Sequence, residues 1–153
     1  MYLAIDPGKG RVDSIGAAKF ATDGSVLFFG QFTYDDFVPW LEGQKDIEKL
    51  FYEEYRIFAR AAKKQIGSRV ETAECIGVIK SWATRHKVPL VAQRPDILKT
   101  AEMMFQVKIP SDHSISHQFS ALLHGLYGLH ALGLVPTELQ RLKKLEREAQ
   151  ANG

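Results

Sequence analysis

YLAIDPG, residues 2–8, is an apolar run that stops at a carboxylate, Asp6, and turns on Pro7 and Gly8. Four consecutive apolar residues, Tyr2 to Ile5, read as a short apolar strand that ends at Asp6. SIGAAKFAT (14–22) and SVLFFGQFT (25–33) follow, divided by Asp23-Gly24. Such a pair favours a tight hairpin because glycine adopts positive φ without strain. KLFYEEYR (49–56) reads as a fourth strand and residues 88–93 as a fifth. Between them, Asp35 or Asp36 can cap a short helix through Leu41 that tolerates an early Pro39. Ser68 and Glu71 make a capping box for a long helix to about Arg85. Pro95 and Asp96 open a helix to about Phe105. His113 to Leu132 is helical until Gly133 and Pro136 stop it, and a charged amphipathic helix covers 137–149. The order β-β-β-α-β-α-β-α-α-α predicts an α/β fold. Its mixed five-stranded sheet starts as an antiparallel hairpin and carries helices on both faces.

At 153 residues, 45% hydrophobic and 25% charged, the chain is of one-domain size and can bury a core unaided. Whole-chain disorder is excluded. The single cysteine, Cys75, excludes a disulfide framework and a Cys-rich zinc finger. With Ile76 and Ile79 beside it, Cys75 reads as core rather than as a nucleophile. The amino terminus resembles neither a signal peptide nor a membrane span, so a soluble cytosolic protein without membrane partners is expected. Net charge is +2, but unevenly spread. Residues 1–55 hold 5 Lys/Arg against 10 Asp/Glu, residues 56–108 hold 11 against 4, and residues 109–153 hold 4 against 4. A basic middle beside an acidic start suits a polyanion surface around a carboxylate site, or charges that merely solvate helix faces.

Few residues carry chemistry. Asp6 ends a strand before a glycine turn, so its carboxylate can project from the sheet edge as a metal ligand or simply form the turn. Glu53 and Glu54 are adjacent in an apolar strand. Alternation sends one to each face, so only one can reach a central site. His113, His117, Ser120 and His124 are spaced +4, +3, +4, along one helical stripe. His113 and His117 could share a metal, whereas His124, within ALLHGLYGL, reads as a core histidine with a satisfied hydrogen bond. Arg94 follows a strand and could reach a phosphate. GKGR (8–11) lacks the spacing of a P-loop.

LAIDPG (3–8) with its hairpin, FYEEYR (51–56), and HQFSALLH (117–124) together resemble the RuvC family of Holliday junction resolvases, within the RNase H-like superfamily. The small RuvC-like proteins of bacteriophages look most similar. The resemblance runs over residues 1–134, read as one nuclease domain, with 135–153 as a charged helix and tail on the same domain. It implies a metal-dependent endonuclease that acts on four-way or other branched DNA as a homodimer, in the host cytoplasm if the chain is viral. It implies two divalent ions per site, Mg²⁺ or Mn²⁺. Asp6 would bridge both ions and Glu53 would bind one, with Glu54 as the fallback. His117 matches a slot held by Asp or His in the family, where it would bind an ion or position water or phosphate. The basic connection Arg56, Arg60, Lys63, Lys64 and Arg69 would contact DNA phosphates, and Phe58 could wedge into a junction.

One position departs from the family. Ser120 stands where the family carries an aspartate. Three readings stay open: a neighbouring acid, Asp112 or Glu54, takes its place; the site runs on one firmly held ion; or the chain binds branched DNA and cuts poorly. A junction-binding protein without nuclease activity and a ribonuclease H-type enzyme are thus the competing functions. An actin-like ATPase needs two such domains, and the length supplies one.

Overall fold

In a computed structural model of the chain, which describes residues 1–8, 14–54 and 68–151, five strands form one sheet. They are β1 (Tyr2–Asp6), β2 (Ile15–Phe20), β3 (Val26–Phe32), β4 (Lys49–Glu53) and β5 (Leu90–Gln93), in the order β3-β2-β1-β4-β5. β1 to β3 are antiparallel neighbours, while β4 lies parallel to β1 and β5 parallel to β4. This is the predicted mixed sheet with its hairpin start. β1 is buried along its whole length because it is central and covered on both faces. The hairpin turns at Asp23-Gly24, where Gly24 has φ +86° and the Asp23 carboxylate accepts the Ser25 N–H at 2.9 Å.

Strand alternation divides the core in two. Leu3, Ile5, Leu50 and Tyr52 point to one face, where they pack with Phe37 and Leu41 of α1 (Tyr34–Glu42) and with Cys75, Ile79, Trp82 and Ala83 of α2 (Ser68–His86). Tyr2, Ala4, Phe20 and Phe51 point to the other, against Ala121, Leu122 and Leu129 of α4 (His113–Ala131). Each large side chain buried this way contributes about 1.5–3 kcal/mol. α3 (Ile97–Phe105) packs on the outside of α4, and α5 (Glu138–Ala151) meets α3 along a groove lined by Met103, Met104, Leu139 and Leu142.

Most sequence expectations survive with shifted ends. The cap of α1 is Thr33, not Asp35 or Asp36. Its hydroxyl accepts the Asp36 N–H at 3.1 Å and donates to the Asp36 carboxylate at 2.7 Å, so the aspartate holds the capping hydroxyl in place. The apolar residues of α2 pack into this core, with Ile76 and Val78 partly buried beside it. Among the described residues no helix is long and apolar enough to cross a membrane.

Candidate active site at the carboxyl ends of the strands

β1, β4 and β5 run parallel and end together, so their last residues, Asp6, Glu53 and Gln93, share one sheet edge. By the alternation that puts Ala4 and Phe51 on the α4 face, Asp6 and Glu53 belong to that face too. α4 lies over them and supplies His117, Ser120 and His124 at the predicted helical spacing.

Asp6 is held from below. The Gly8 N–H donates to its Oδ1 at 2.9 Å, closing a short side-chain turn, and Gly8 sits at φ +60°. A Cβ there would fall 1.9 Å from the Ser14 carbonyl oxygen, so only glycine fits. The Thr72 hydroxyl of α2 donates to the Gly8 carbonyl at 2.8 Å and ties the turn to the opposite layer. Asp6 is only 5% exposed. Its other oxygen, Oδ2, lies 3.0 Å from Nδ1 of His117.

Two features bring His117 to that position. Gly16, paired with Asp6 across β1 and β2, has no side chain, and a Cβ would lie 1.9 Å from the His117 carbonyl oxygen. The first turn of α4 therefore rests directly on the β2 backbone. Gln31 of β3 clamps the same turn: its Oε1 accepts the His117 N–H at 3.1 Å and its Nε2 donates to the His113 carbonyl at 3.2 Å. Further along, Gly125 lies against Phe20 and Ala4, and Gly128 against the Phe51 ring.

Glu53 meets a different histidine. Its Oε2 lies 3.0 Å from Nε2 of His124, whose Nδ1 lies 2.7 Å from Oε1 of Gln93. His124 is fully buried and Gln93 nearly so. His124 is thus the hydrogen-bonded core histidine expected from the sequence, but its partner is a candidate ligand. Gln93 and Gln31 carry no such expectation. The available signal for Gln93 was its place, a polar residue closing a buried strand as Asp6 and Glu53 do.

Ser120 lies one turn beyond His117 and one before His124. It is 4% exposed, and its Oγ has no hydrogen-bond partner among the described residues. Such a buried orphan costs about 1–3 kcal/mol unless something else engages it. Glu54 follows Glu53, its N–H donating to the Gln93 carbonyl at 2.7 Å, and alternation assigns its side chain to the α2 face. Asp112 caps α4 instead of joining the cluster. Its Oδ1 accepts from the Ser114 hydroxyl at 2.7 Å and from the Ser114 N–H at 2.9 Å, and these bonds hold its carboxyl below its usual range. His113 is exposed at the start of α4. Cys75 is core: burial, helped by the nearby Asp6 carboxylate, pushes its thiol up to about 12, so it holds no nucleophilic thiolate at neutral pH. Arg56, Phe58, Arg60, Lys63 and Lys64 lie outside the described residues, as does the side chain of Arg69. Arg94, just past β5, is exposed and pairs with Asp96.

The donor chemistry suits an oxygen-seeking dication: two carboxylates with unused lone pairs, and a buried hydroxyl with nothing to bond. As they stand, the two carboxylates each face a histidine. No three His, Cys, Asp or Glu side chains among the described residues are gathered as a metal cluster. The described residues thus bring two carboxylates and a buried hydroxyl to one sheet edge without a third anionic donor gathered beside them.

No family model matches the sequence. No curated protein matches it either. Among solved structures the chain is similar to Thermus thermophilus RuvC, with a TM-score of 0.54 and 16% identity over 89% of this chain and 98% of that one. It is likewise similar to T. thermophilus RuvC in complex with a Holliday junction substrate, with a TM-score of 0.53 and 12% identity over the same shares. The fold is that of RuvC, an RNase H-like sheet with helices on both faces. Identity this low speaks for the fold alone.

Proposed function

We propose that this chain is a structure-specific endodeoxyribonuclease that cuts four-way or other branched DNA with a divalent metal ion. The observation that carries the reading is the convergence of Asp6 and Glu53 at adjacent strand ends, beneath a helix that presents His117 and Ser120. A purely structural role would give two carboxylates on one face of a buried sheet edge no common purpose. The RuvC fold of this chain, and the Holliday junction held by one of its structural neighbours, make branched DNA the substrate class to test first.

Asp6 and Glu53 would hold Mg²⁺ or Mn²⁺, with the Ser120 hydroxyl as a neutral third donor. The ion, when bound, supplies a Lewis acid that activates water and offsets charge on the phosphate. The bond from Gly8 fixes Asp6 in advance, which lowers the ordering cost of binding. His117 is partly exposed, so its ring can orient a phosphate oxygen or the attacking water while Nδ1 keeps its bond to Asp6. Because Ser120 adds no charge, one ion is held firmly and a second weakly, and Mn²⁺ supports turnover better than Mg²⁺. Arg94 at the same edge, with the basic residues 56–69, provides phosphate contacts whose affinity falls steeply with salt. The chain works as a homodimer, since paired nicks across a junction need two sites.

The orphaned Ser120 hydroxyl also favours a second reading, a junction-binding protein with weak or no nuclease activity. One experiment separates the two: a labelled four-way junction, beside flap, duplex and RNA–DNA hybrid, incubated with Mg²⁺, Mn²⁺ or chelator. Paired symmetric nicks that need metal are expected. Junction binding in chelator with no cut on any substrate in either metal would overturn the nuclease reading, and preferential cutting of the hybrid would make the chain a ribonuclease H-type enzyme.

A further inference from the structure

The buried chain from Glu53 through His124 to Gln93 spans three elements, β4, α4 and β5. It runs inward from the partly exposed Glu53 at the sheet edge to His124, which has no contact with solvent. An ionised carboxylate only accepts hydrogen bonds, so Nε2 of His124 is the protonated donor to Glu53. Nδ1 meets an amide, whose oxygen and nitrogen exchange by a flip, and Gln93 can therefore satisfy that nitrogen as donor or acceptor. Both ring nitrogens are engaged whichever way the amide is turned. The ring cannot rotate without leaving two buried polar groups unpaired.

We propose that His124 and Gln93 are positioning residues that hold Oε2 of Glu53 and leave Oε1 as the oxygen offered to the metal. The inference rests on the metal-dependent reading above. A free glutamate carries three side-chain torsions, and at a strand end it would sample several orientations before binding an ion. Anchoring one oxygen removes most of that freedom. The arrangement matters more here than in a site with an aspartate at position 120, because this one has a single other carboxylate to share the work. Groups that orient a ligand from behind change metal affinity by about tenfold to a hundredfold when lost.

The test is titration calorimetry of Mn²⁺ into the full chain without DNA, with thermal midpoints measured alongside. His124→Leu keeps the bulk and removes the donor; about a tenfold to hundredfold loss of Mn²⁺ affinity is expected. His124→Gln restores an N–H near the position of Nε2 and should recover most of the loss. Gln93→Leu frees the ring and should weaken binding severalfold. A packing role alone would lower the thermal midpoint and leave Mn²⁺ affinity unchanged, which would overturn the proposal. If His124→Leu does not fold, Gln93→Leu carries the test, and wild-type Mn²⁺ affinity in that variant would overturn the proposal. A wild-type chain that binds no Mn²⁺ would sink the metal-dependent reading itself, a failure distinct from an unaffected variant.

Discussion

α2 and α4 are each 19 residues long and cover opposite faces of the same sheet. α2 touches the sheet through Cys75, Ile79, Trp82 and Ala83 and turns Glu74, Lys80, Ser81 and Thr84 to solvent. Large side chains fill the space between helix and strands. α4 is buried without a break from Ser120 to Gly125, and it meets the sheet through Gly125 and Gly128 against the rings of Phe20 and Phe51. Its first turn rests on Gly16. The contrast teaches why the two histidine–carboxylate pairs form on the α4 face. The helix admitted by glycine brings imidazoles within 3.0 Å of Asp6 and Glu53.

The largest effect should come from the α4 face. Asp6→Asn keeps the shape and the turn but removes the charge. It should lower cleavage by about a thousandfold, roughly 4 kcal/mol of barrier, while junction binding in chelator stays near wild type. Wild-type cutting by that variant would show that the close face is not the reactive one. Gly16→Ala attacks the close approach itself. Its Cβ meets backbone, which cannot rotate away, and a cost of about 1–3 kcal/mol in a denaturant titration is expected together with weakened Mn²⁺ binding. Unchanged stability would mean that α4 can lift from β2 freely.

Smaller effects sharpen the comparison. Ser120→Ala removes an orphaned hydroxyl and should stabilise the chain by about 1 kcal/mol while weakening Mn²⁺ binding. Ser120→Asp should raise Mg²⁺-supported cleavage, and an unaltered metal preference would indicate that another acid already fills the position. On the far face, a Cβ at Gly77 of α2 meets nothing within 4 Å. Gly77→Ala should therefore stabilise by about 0.5–1 kcal/mol through helix propensity alone and leave metal binding untouched. Two Gly→Ala changes of opposite sign, read by the same denaturant titration, would isolate closeness of approach as the variable. The least effect is expected from acid. Asp112 titrates below its ordinary value in the folded chain, so its capping contribution is present above the unfolded pKa near 4 and is lost as pH falls through the lower folded value. Amide exchange at the first turn of α4 should quicken there, and should show no such dependence in Asp112→Ala.

The ten elements of the described residues are legible in order because each carries its own local signal, a short apolar run, a glycine turn or a capping pair. Their ends are less so. β2 and β3 stop short of the apolar residues around the hairpin, since Ala21 is drawn into the turn by a 2.8 Å bond to the Ser25 carbonyl. Asp6, Glu53, His117 and Ser120 can be picked out as polar residues at strand ends or on one helical stripe. Choosing Glu53 over Glu54 for the α4 face required knowing which side of β4 that helix covers.

By itself, then, the sequence determined the element order, the mixed sheet, and the short set of residues able to do chemistry. The tertiary structure alone decided the partnerships: His117 with Asp6, His124 with Glu53 and Gln93, and Gln31 with the first turn of α4. The reason is physical. Periodicity tells a helix which of its sides must be buried, but the same apolar stripe would serve against either face of the sheet. Its distance from the strands depends on which side chains, or which missing ones, happen to lie opposite. Gly16 admits α4 only because His117 arrives from 101 positions further along the chain, and no local pattern records that meeting.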